Sequence, residues 1–316
     1  MPDTAALTST DDALHALLRR LDELGYDFVT PTPLTHQRVV RRPGMRLARS
    51  VRDVLGWSLP FEPSALPRDL FEALQAGGVL EPAGDLWKST VRVSRVHGLL
   101  FLHSAFPTED ENSVFLGPDS YRFADFVAAE MGHDCRLQRV VDVGGGAGAG
   151  ALTVAARCWV REVLLTDVNP QALRFARINA RQAGLPLATR LTSGLEDAPA
   201  DCDLVLANPP YIVDPAGRAY RDGGDLQGGQ ISLDWARQAI DKLAGGGRFL
   251  LYTGSAIVRG GRDRLKGELY AMAEAAGCAL AYRELDPDVF GEELDTPAYA
   301  DVERIAVVGC TITKPR

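Results

Sequence analysis

Short apolar runs alternate with amphipathic stretches over the C-terminal part of the chain. The runs lack the strict alternation of a half-exposed strand, so they predict strands buried on both faces of a sheet. They lie at 139–143, 163–167, 203–207 and 248–253. The stretches between them, at 151–158, 170–183 and 231–243, have the pattern of helices. This β-α-β order predicts an α/β fold with a parallel sheet, which strands near 279–285 and 304–312 close as an antiparallel pair.

The N-terminal part has a different pattern. Leucines at helical spacing from Leu14 to Leu24 predict a first helix, which Asp11 and Asp12 cap and Gly25 ends. A second helix at 66–80 and two β-rich segments at 87–96 and 99–105 follow. His97-Gly98 predicts a hairpin turn between those segments. Helices followed by a hairpin predict an α+β domain that resembles a winged helix, a module that serves substrate recognition, dimerisation or DNA binding.

A polar, acidic stretch from Pro107 to Asn112 predicts the boundary between two domains. We therefore expect an N-terminal domain over 1–107 and a second domain over 113–316. The second domain begins with a predicted short strand at 114–116 and a turn, followed by a helix that ends near Met131.

Composition and charge narrow the function. The chain has 316 residues, 46% of them hydrophobic, with a formal net charge of −8, which argues against a broad basic surface for nucleic acid. Arginines are dense only between Gln37 and Arg52, where either a solvated helical face or a nucleic-acid contact is possible. The five cysteines and five histidines lack metal-ligand spacing, so we expect no metal site. With no signal peptide or membrane-length apolar run, the sequence predicts a cytoplasmic protein whose cysteines are reduced.

A glycine-rich loop follows the first predicted buried strand. Gly144, Gly146 and Gly148 come directly after this strand and before a helix, which is typical of a Rossmann-like cofactor site where the backbone approaches the ligand. Asp167 ends the next strand, and a carboxylate there can accept hydrogen bonds from the ribose of a dinucleotide or of S-adenosylmethionine. Asp142 is separated from Gly144 by one residue. Its negative charge would lie near the pyrophosphate of a dinucleotide, which is unfavourable, but it suits the methionyl ammonium of S-adenosylmethionine.

The sequence Asn208-Pro209-Pro210-Tyr211 ends the apolar run at 203–207. Its simplest interpretation is a strand terminated by prolines. The chemical interpretation is that the Asn208 side-chain carbonyl and the Pro209 carbonyl accept both hydrogens of a planar NH2 group, while the Tyr211 ring holds the group face-on. Such a group is a poor nucleophile until its nitrogen pyramidalises. The motif therefore predicts transfer of an electrophilic methyl group to an amide or nucleobase amine nitrogen.

Together these motifs resemble class I S-adenosylmethionine-dependent methyltransferases, and more narrowly the methyltransferase small domain group, over roughly 114–313. That group includes HemK-like release factor glutamine methyltransferases and relatives that methylate nucleobase amines. The resemblance implies a Rossmann-like, seven-stranded fold and the cofactor S-adenosylmethionine. It also implies that Asp142, Gly144, Gly146, Gly148, Asp167 and Asn208 bind the cofactor, and that Asn208, Pro209 and Tyr211 form the catalytic motif.

Two features depart from the family. Where relatives carry a Gly-Asp pair for the adenine amine, this chain has Ser193-Gly194-Leu195-Glu196, so either Glu196 or a backbone carbonyl is expected to replace it. The N-terminal region is also larger than that of the glutamine enzymes.

Three functions remain open from the sequence. The first is N-methylation of a protein glutamine or a nucleobase. The second is methylation of a small molecule, with the N-terminal domain as a lid or as the interface of a homodimer. The third is a regulator that senses S-adenosylmethionine and binds DNA without catalysis.

Overall fold

The computed structural model describes residues 8–108, 110–132, 135–213 and 222–316. Its N-terminal part consists of four helices followed by two hairpins. The elements are α1 (Ser9–Glu23), α2 (Pro33–Val40), α3 (Val51–Leu55), α4 (Arg68–Ala76), β1 (Leu80–Ala83), β2 (Leu86–Ser89), β3 (Val91–Val96) and β4 (Leu99–Ser104). β1 pairs with β2 and β3 pairs with β4, both antiparallel, and the turn between β3 and β4 is His97-Gly98 as predicted. The likeness to a winged helix stays a prediction.

The C-terminal part contains the remaining elements. They are α5 (Pro118–Glu130), β5 (Arg136–Val143), α6 (Ala149–Arg157), β6 (Trp159–Asp167), α7 (Pro170–Ala183), β7 (Ala188–Leu191), β8 (Cys202–Ala207), α8 (Asp225–Gly228), α9 (Gln230–Lys242), β9 (Leu243–Val258), β10 (Arg262–Asp263), α10 (Arg264–Ala275), β11 (Ala279–Asp286) and β12 (Val302–Thr313). Short 3-10 helices lie at Pro63–Ala65, Gly291–Asp295 and Pro297–Tyr299.

The central sheet has the strand order β11-β12-β9-β8-β5-β6-β7, and β10 pairs with β9 beside this path. β5 to β9 run parallel, whereas β12 is antiparallel to both β9 and β11. This order confirms the seven-stranded, Rossmann-like α/β fold and its antiparallel closing pair. β5 lies near the middle, so the loop that follows it opens at the edge where parallel sheets bind ligands.

Helix α1 connects the two parts of the chain. Thr8, rather than the predicted Asp11 and Asp12, caps it: the Thr8 hydroxyl accepts from Asp11 N, and the Asp11 carboxylate accepts from Thr8 N. Arg174 and Arg181 of α7 form ion pairs with Asp11 and Asp12, each at 2.5 Å. The first turn of α1 is therefore attached to a helix of the C-terminal part.

Asn179 of α7 joins the same two parts through backbone groups. Its fully buried side chain accepts from Leu102 N at 2.8 Å and donates to Leu102 O at 3.2 Å, both on β4. It also donates to Ala147 O, in the glycine-rich loop, at 3.0 Å. One amide thus connects the N-terminal hairpin to the predicted cofactor loop.

Several local expectations were wrong. The segment 114–116 is not a strand. Val114 O accepts from Ser104 N and Val114 N donates to Ser104 Oγ, but no ladder of backbone bonds continues from this pair. The arginine run does not form one helical face: it covers the end of α2, a loop and the start of α3, and all six arginines are exposed. Cys135 and Cys158 form a disulfide, with Cα atoms 4.8 Å apart, although the sequence predicted reduced cysteines.

Within the described ranges, no helix combines the length and apolar character needed to cross a bilayer. The same residues contain no cluster of His, Cys, Asp and Glu that could hold a metal ion.

Candidate active site

The glycine-rich loop is left-handed at alternate positions. Gly144, Gly146 and Gly148 have φ values of 62°, 55° and 93°, which residues with a Cβ rarely adopt. Gly145 N donates to Thr166 O at 3.1 Å, which fixes the loop against β6. A Cβ at Gly144 would lie 2.5 Å from the Trp235 ring, so this glycine also allows α9 to approach closely.

Asp142 is fully buried beneath this loop. Its Oδ2 accepts from Ala151 N at 2.7 Å, whereas its Oδ1 is buried without a partner. Burial raises the pKa of Asp142 to about 7, opposed by the hydrogen bond from Ala151 and assisted by the nearby charge of Asp167. A buried carboxylate oxygen without a donor is unusual, and a ligand ammonium or a water is the kind of group that would satisfy it.

Asp167 lies at the end of β6, next to the loop. Its Oδ2 accepts from Gly146 N at 2.9 Å and its Oδ1 accepts from Asn169 N at 2.8 Å. Burial raises the pKa of Asp167, and these backbone donors oppose the shift. Each oxygen keeps a further lone pair, so the half-buried carboxylate can still accept from a vicinal diol such as a ribose.

Asn208 follows directly after β8. Val143 of β5 and Ala207 of β8 are partners in parallel register, so Gly144 and Asn208 leave the sheet side by side at one edge. Val143 is also in register with Thr166, which brings Asp167 to that edge. The structure thus groups the predicted residues of the glycine loop, Asp167 and Asn208. The half-buried Asn208 side chain makes no hydrogen bond with any described residue.

The Tyr211 ring is 8% exposed and tightly enclosed. A Cβ at Gly254 of β9 would overlap the ring, and one at Gly228 would overlap the Tyr211 carbonyl. Phe290 contacts the ring edge-on, with centroids 5.8 Å apart. Glycines of two other segments therefore leave the space in which this motif fits.

Asp119, in the first turn of α5, was not predicted as a site residue. Its buried Oδ1 accepts from the Tyr252 hydroxyl at 3.0 Å. The Tyr211 hydroxyl is buried close to the same carboxylate but lacks a hydrogen bond of good geometry. Burial raises the pKa of Asp119, and burial with the adjacent carboxylate raises that of both tyrosines well above the ordinary value, so the hydroxyls stay protonated. A single Asp after a proline gives no sequence signal for this contact.

The segment Ser193–Glu196, which is predicted to contact the adenine, is bonded to α9. Leu195 N donates to the Gln238 side chain at 2.7 Å, while Glu196 is exposed. Glu196 as the adenine contact stays a prediction.

These residues fit S-adenosylmethionine. Asp142 Oδ1 lacks a cationic or donor partner, Gly146 has open space where a Cβ would lie, and Asp167 has acceptor capacity beside it. A dinucleotide would bring a pyrophosphate toward the two carboxylates, which charge repulsion disfavours.

Comparisons with known proteins agree with this fit. Residues 124–222 match the family model for the methyltransferase small domain. The chain is 30% identical over 280 residues to a release factor glutamine methyltransferase of Moorella thermoacetica, covering 82% of this chain and 92% of that protein. It is 34% identical over 162 residues to the enzyme of the same name from Deinococcus radiodurans, covering 49% of this chain and 55% of that protein.

The chain spans about half the length of several of these curated relatives. A crystal structure of M. jannaschii TYW2 in complex with AdoMet shares the fold, with a TM-score of 0.50 and 16% identity over 74% of this chain and 92% of that one. The chain thus belongs to the class I S-adenosylmethionine-dependent methyltransferase family, within the methyltransferase small domain group that contains the HemK-like release factor glutamine methyltransferases.

Proposed function

We propose that this enzyme methylates the side-chain amide nitrogen of a glutamine in a protein acceptor, held by Asn208-Pro209-Pro210-Tyr211. The observation that carries the proposal is the register of Val143 with Ala207, which aligns the glycine loop with Asn208 at one edge of the sheet. The names of the curated relatives support glutamine as the acceptor. A protein-synthesis factor as acceptor implies work in the cytoplasm, and that location stays a prediction.

The chain's own groups bind and orient the reactants. Asp142 would receive the methionyl ammonium, Asp167 the ribose hydroxyls, and the backbone at Gly144, Gly146 and Gly148 would lie along the ligand. When bound, S-adenosylmethionine supplies an electrophilic methyl group on a sulfonium sulfur.

Asn208 Oδ1 and the Pro209 carbonyl would accept the two amide hydrogens, which localises the lone pair on nitrogen. The acceptor nitrogen held in this way would take the methyl group from the sulfonium sulfur, to which the electron pair of the broken bond would return, and would then lose one proton to solvent. No titrating base is required for the transfer, because the methylated cation is a strong acid.

The test is mass analysis of a purified bacterial release factor incubated with the enzyme and labelled S-adenosylmethionine. We expect one methyl group on a glutamine. Asn208→Ala should lower turnover about 10²–10³-fold, equivalent to roughly 2.7–4 kcal/mol, while S-adenosylhomocysteine affinity stays nearly intact. Asn112→Ala, on an exposed asparagine whose side chain has no described bond, is the matched control. Full activity of Asn208→Ala would contradict the proposed chemistry.

A nucleobase amine is the second candidate acceptor. It is favoured by the exposed arginines Arg38, Arg41, Arg42, Arg46, Arg49 and Arg52, none of which pairs with an acidic side chain of a described residue. Bulk RNA in the same labelling assay tests it, and label in RNA but not in the release factor would select it. Label only in a small-molecule fraction, with a dimer by light scattering, would instead favour the N-terminal part as lid or dimer interface.

A further inference from the structure

Arg92 of β3 is a buried arginine that has no acidic partner among the residues that the structure describes. Arg92 is 3% exposed. Its Nη2 lies 3.1 Å from His36 Nδ1 and 3.4 Å from Ser58 Oγ. Its Nε is buried with no partner, and no ion pair between described residues includes it. Burial lowers the pKa of Arg92 to about 10, so the guanidinium is charged at neutral pH. A buried charge that lacks a counter-charge is strongly disfavoured unless a ligand supplies one.

His36 adds a directed donor. A guanidinium only donates hydrogen bonds, so His36 Nδ1 must accept from Arg92 and the imidazole proton is on Nε2. Burial and the Arg92 charge lower the pKa of His36 to about 4, which keeps the ring neutral. His103, whose Nε2 bonds to Ser94 Oγ at 2.9 Å, is fully buried and has its pKa lowered well below the ordinary value. With both histidines neutral, Arg92 is the one charged side chain among the described residues that line the adjoining cavity, and the nearby Lys88 charge adds to the positive potential at His36.

A small cavity lies against these groups. Its lining includes Thr30, Pro33, His36, Arg92, Ser104 and Phe106. The space open to the centre of a water molecule is about 20 Å³, which suits a group of a few heavy atoms and excludes a nucleotide. Ser104 Oγ accepts from Val114 N at 2.8 Å, which leaves its own hydrogen available to donate.

We propose that this cavity binds a small carboxylate, with Arg92 as its counter-charge and His36 Nε2 and Ser104 Oγ as further donors. One positive charge matches a monoanion, whereas a phosphate dianion is larger and would leave a charge uncompensated. The chain continues from the cavity, which Leu116 also lines, to Asp119, whose carboxylate accepts from the Tyr252 hydroxyl and lies close to the Tyr211 hydroxyl. A bound carboxylate would therefore help to fix the chain that leads to Asp119. This inference does not depend on which acceptor is methylated.

The test is a titration of the full-length protein with sodium acetate, against sodium chloride and sodium phosphate at equal ionic strength. Saturable acetate binding, followed by calorimetry and by the unfolding midpoint, is expected for the wild type. Arg92→Met, of similar length without charge, should lose it. Arg95→Met is the matched control, because Arg95 lies on the same strand and pairs with Asp22 at 2.9 Å. His36→Phe should weaken acetate binding about tenfold through loss of one donor, which tests the site if Arg92→Met does not fold.

A second set of ligands separates the two sources of a carboxylate. A peptide with one glutamate and blocked ends is compared with the same peptide carrying glutamine. Competition of the glutamate peptide with acetate indicates an acidic side chain of a protein as the ligand, and acetate binding without such competition indicates a free acid. No saturable acetate effect in the wild type, an equal effect of chloride, or tighter binding of phosphate would overturn the proposal.

Discussion

At the scale of single residues, Asp142 carries a buried carboxylate oxygen that has no hydrogen-bond partner among the described residues. Its Oδ1 has no partner and its pKa is raised from 3.8 to about 7. An aspartate with a raised pKa is favoured in its neutral form in the folded protein. Its contribution to the free energy of unfolding is therefore greatest below pH 3.8 and decreases as pH rises toward 7.

The unpartnered Asp142 oxygen and the raised pKa predict that affinity for S-adenosylhomocysteine depends on pH. An ammonium near Asp142 favours the charged carboxylate, so binding of S-adenosylhomocysteine should release a proton, and affinity should fall about tenfold per pH unit below 7. Calorimetry between pH 6 and 8, in buffers of different ionisation enthalpy, measures both the number of protons released and the change of affinity with pH. Asp142→Asn should bind more weakly at pH 8 and show no such slope. The same slope in that variant would exclude Asp142 as the titrating group.

Tyr211 yields a prediction about ring and hydroxyl. The ring fills the space between Gly254 and Phe290, whereas the hydroxyl makes no hydrogen bond of good geometry. Tyr211→Phe should therefore retain most single-turnover activity, and Tyr211→Ala should lose most of it because the acceptor surface collapses. Asp119 keeps its bond from Tyr252 in both variants. Equal losses in the two would mean that the hydroxyl has the chemical role.

At the scale of elements, the Tyr211 motif depends on a glycine of β9. Gly254→Ala would place a methyl group into the Tyr211 ring, so we expect turnover to fall strongly while S-adenosylhomocysteine affinity persists. Gly267→Ala is the matched control, because that exposed helical glycine has open space around it, and the variant should be about 0.5–1 kcal/mol more stable. Unaltered turnover in Gly254→Ala would show that the ring position is not critical.

Elements differ in how far the sequence predicts them. The buried strands and their edge were predictable, because apolar runs that end in Gly144, Asp167 and Asn208 leave few other arrangements. The segment at 114–116 has the composition of a strand, but among the described residues it pairs with Ser104 of β4 alone, through one backbone bond and one side-chain bond. Contacts such as Asp119 with Tyr252 join residues far apart in sequence, and nothing local in the chain encodes them.

At the scale of the whole molecule, the N-terminal part and the methyltransferase fold share hydrogen bonds and ion pairs. Asp11 and Asp12 pair with α7, and the arginines of the basic run remain exposed. The excess of acidic residues, with a formal net charge of −8, lies outside that run. A partner that approaches the N-terminal part therefore meets a locally positive surface on an acidic protein.

The Asn179 side chain couples the N-terminal hairpin to the glycine-rich loop. Because one amide binds both β4 and the Ala147 carbonyl, any ligand that orders the glycine loop also stabilises the attachment of β4. S-adenosylhomocysteine should therefore slow hydrogen exchange at Leu102 and its neighbours in the N-terminal hairpin, and Asn179→Ala should abolish this remote protection. Protection of Leu102 that persists in Asn179→Ala would contradict the coupling. The same linkage means that a partner that stabilises the hairpin would tighten cofactor binding by the same factor by which the cofactor tightens binding of that partner.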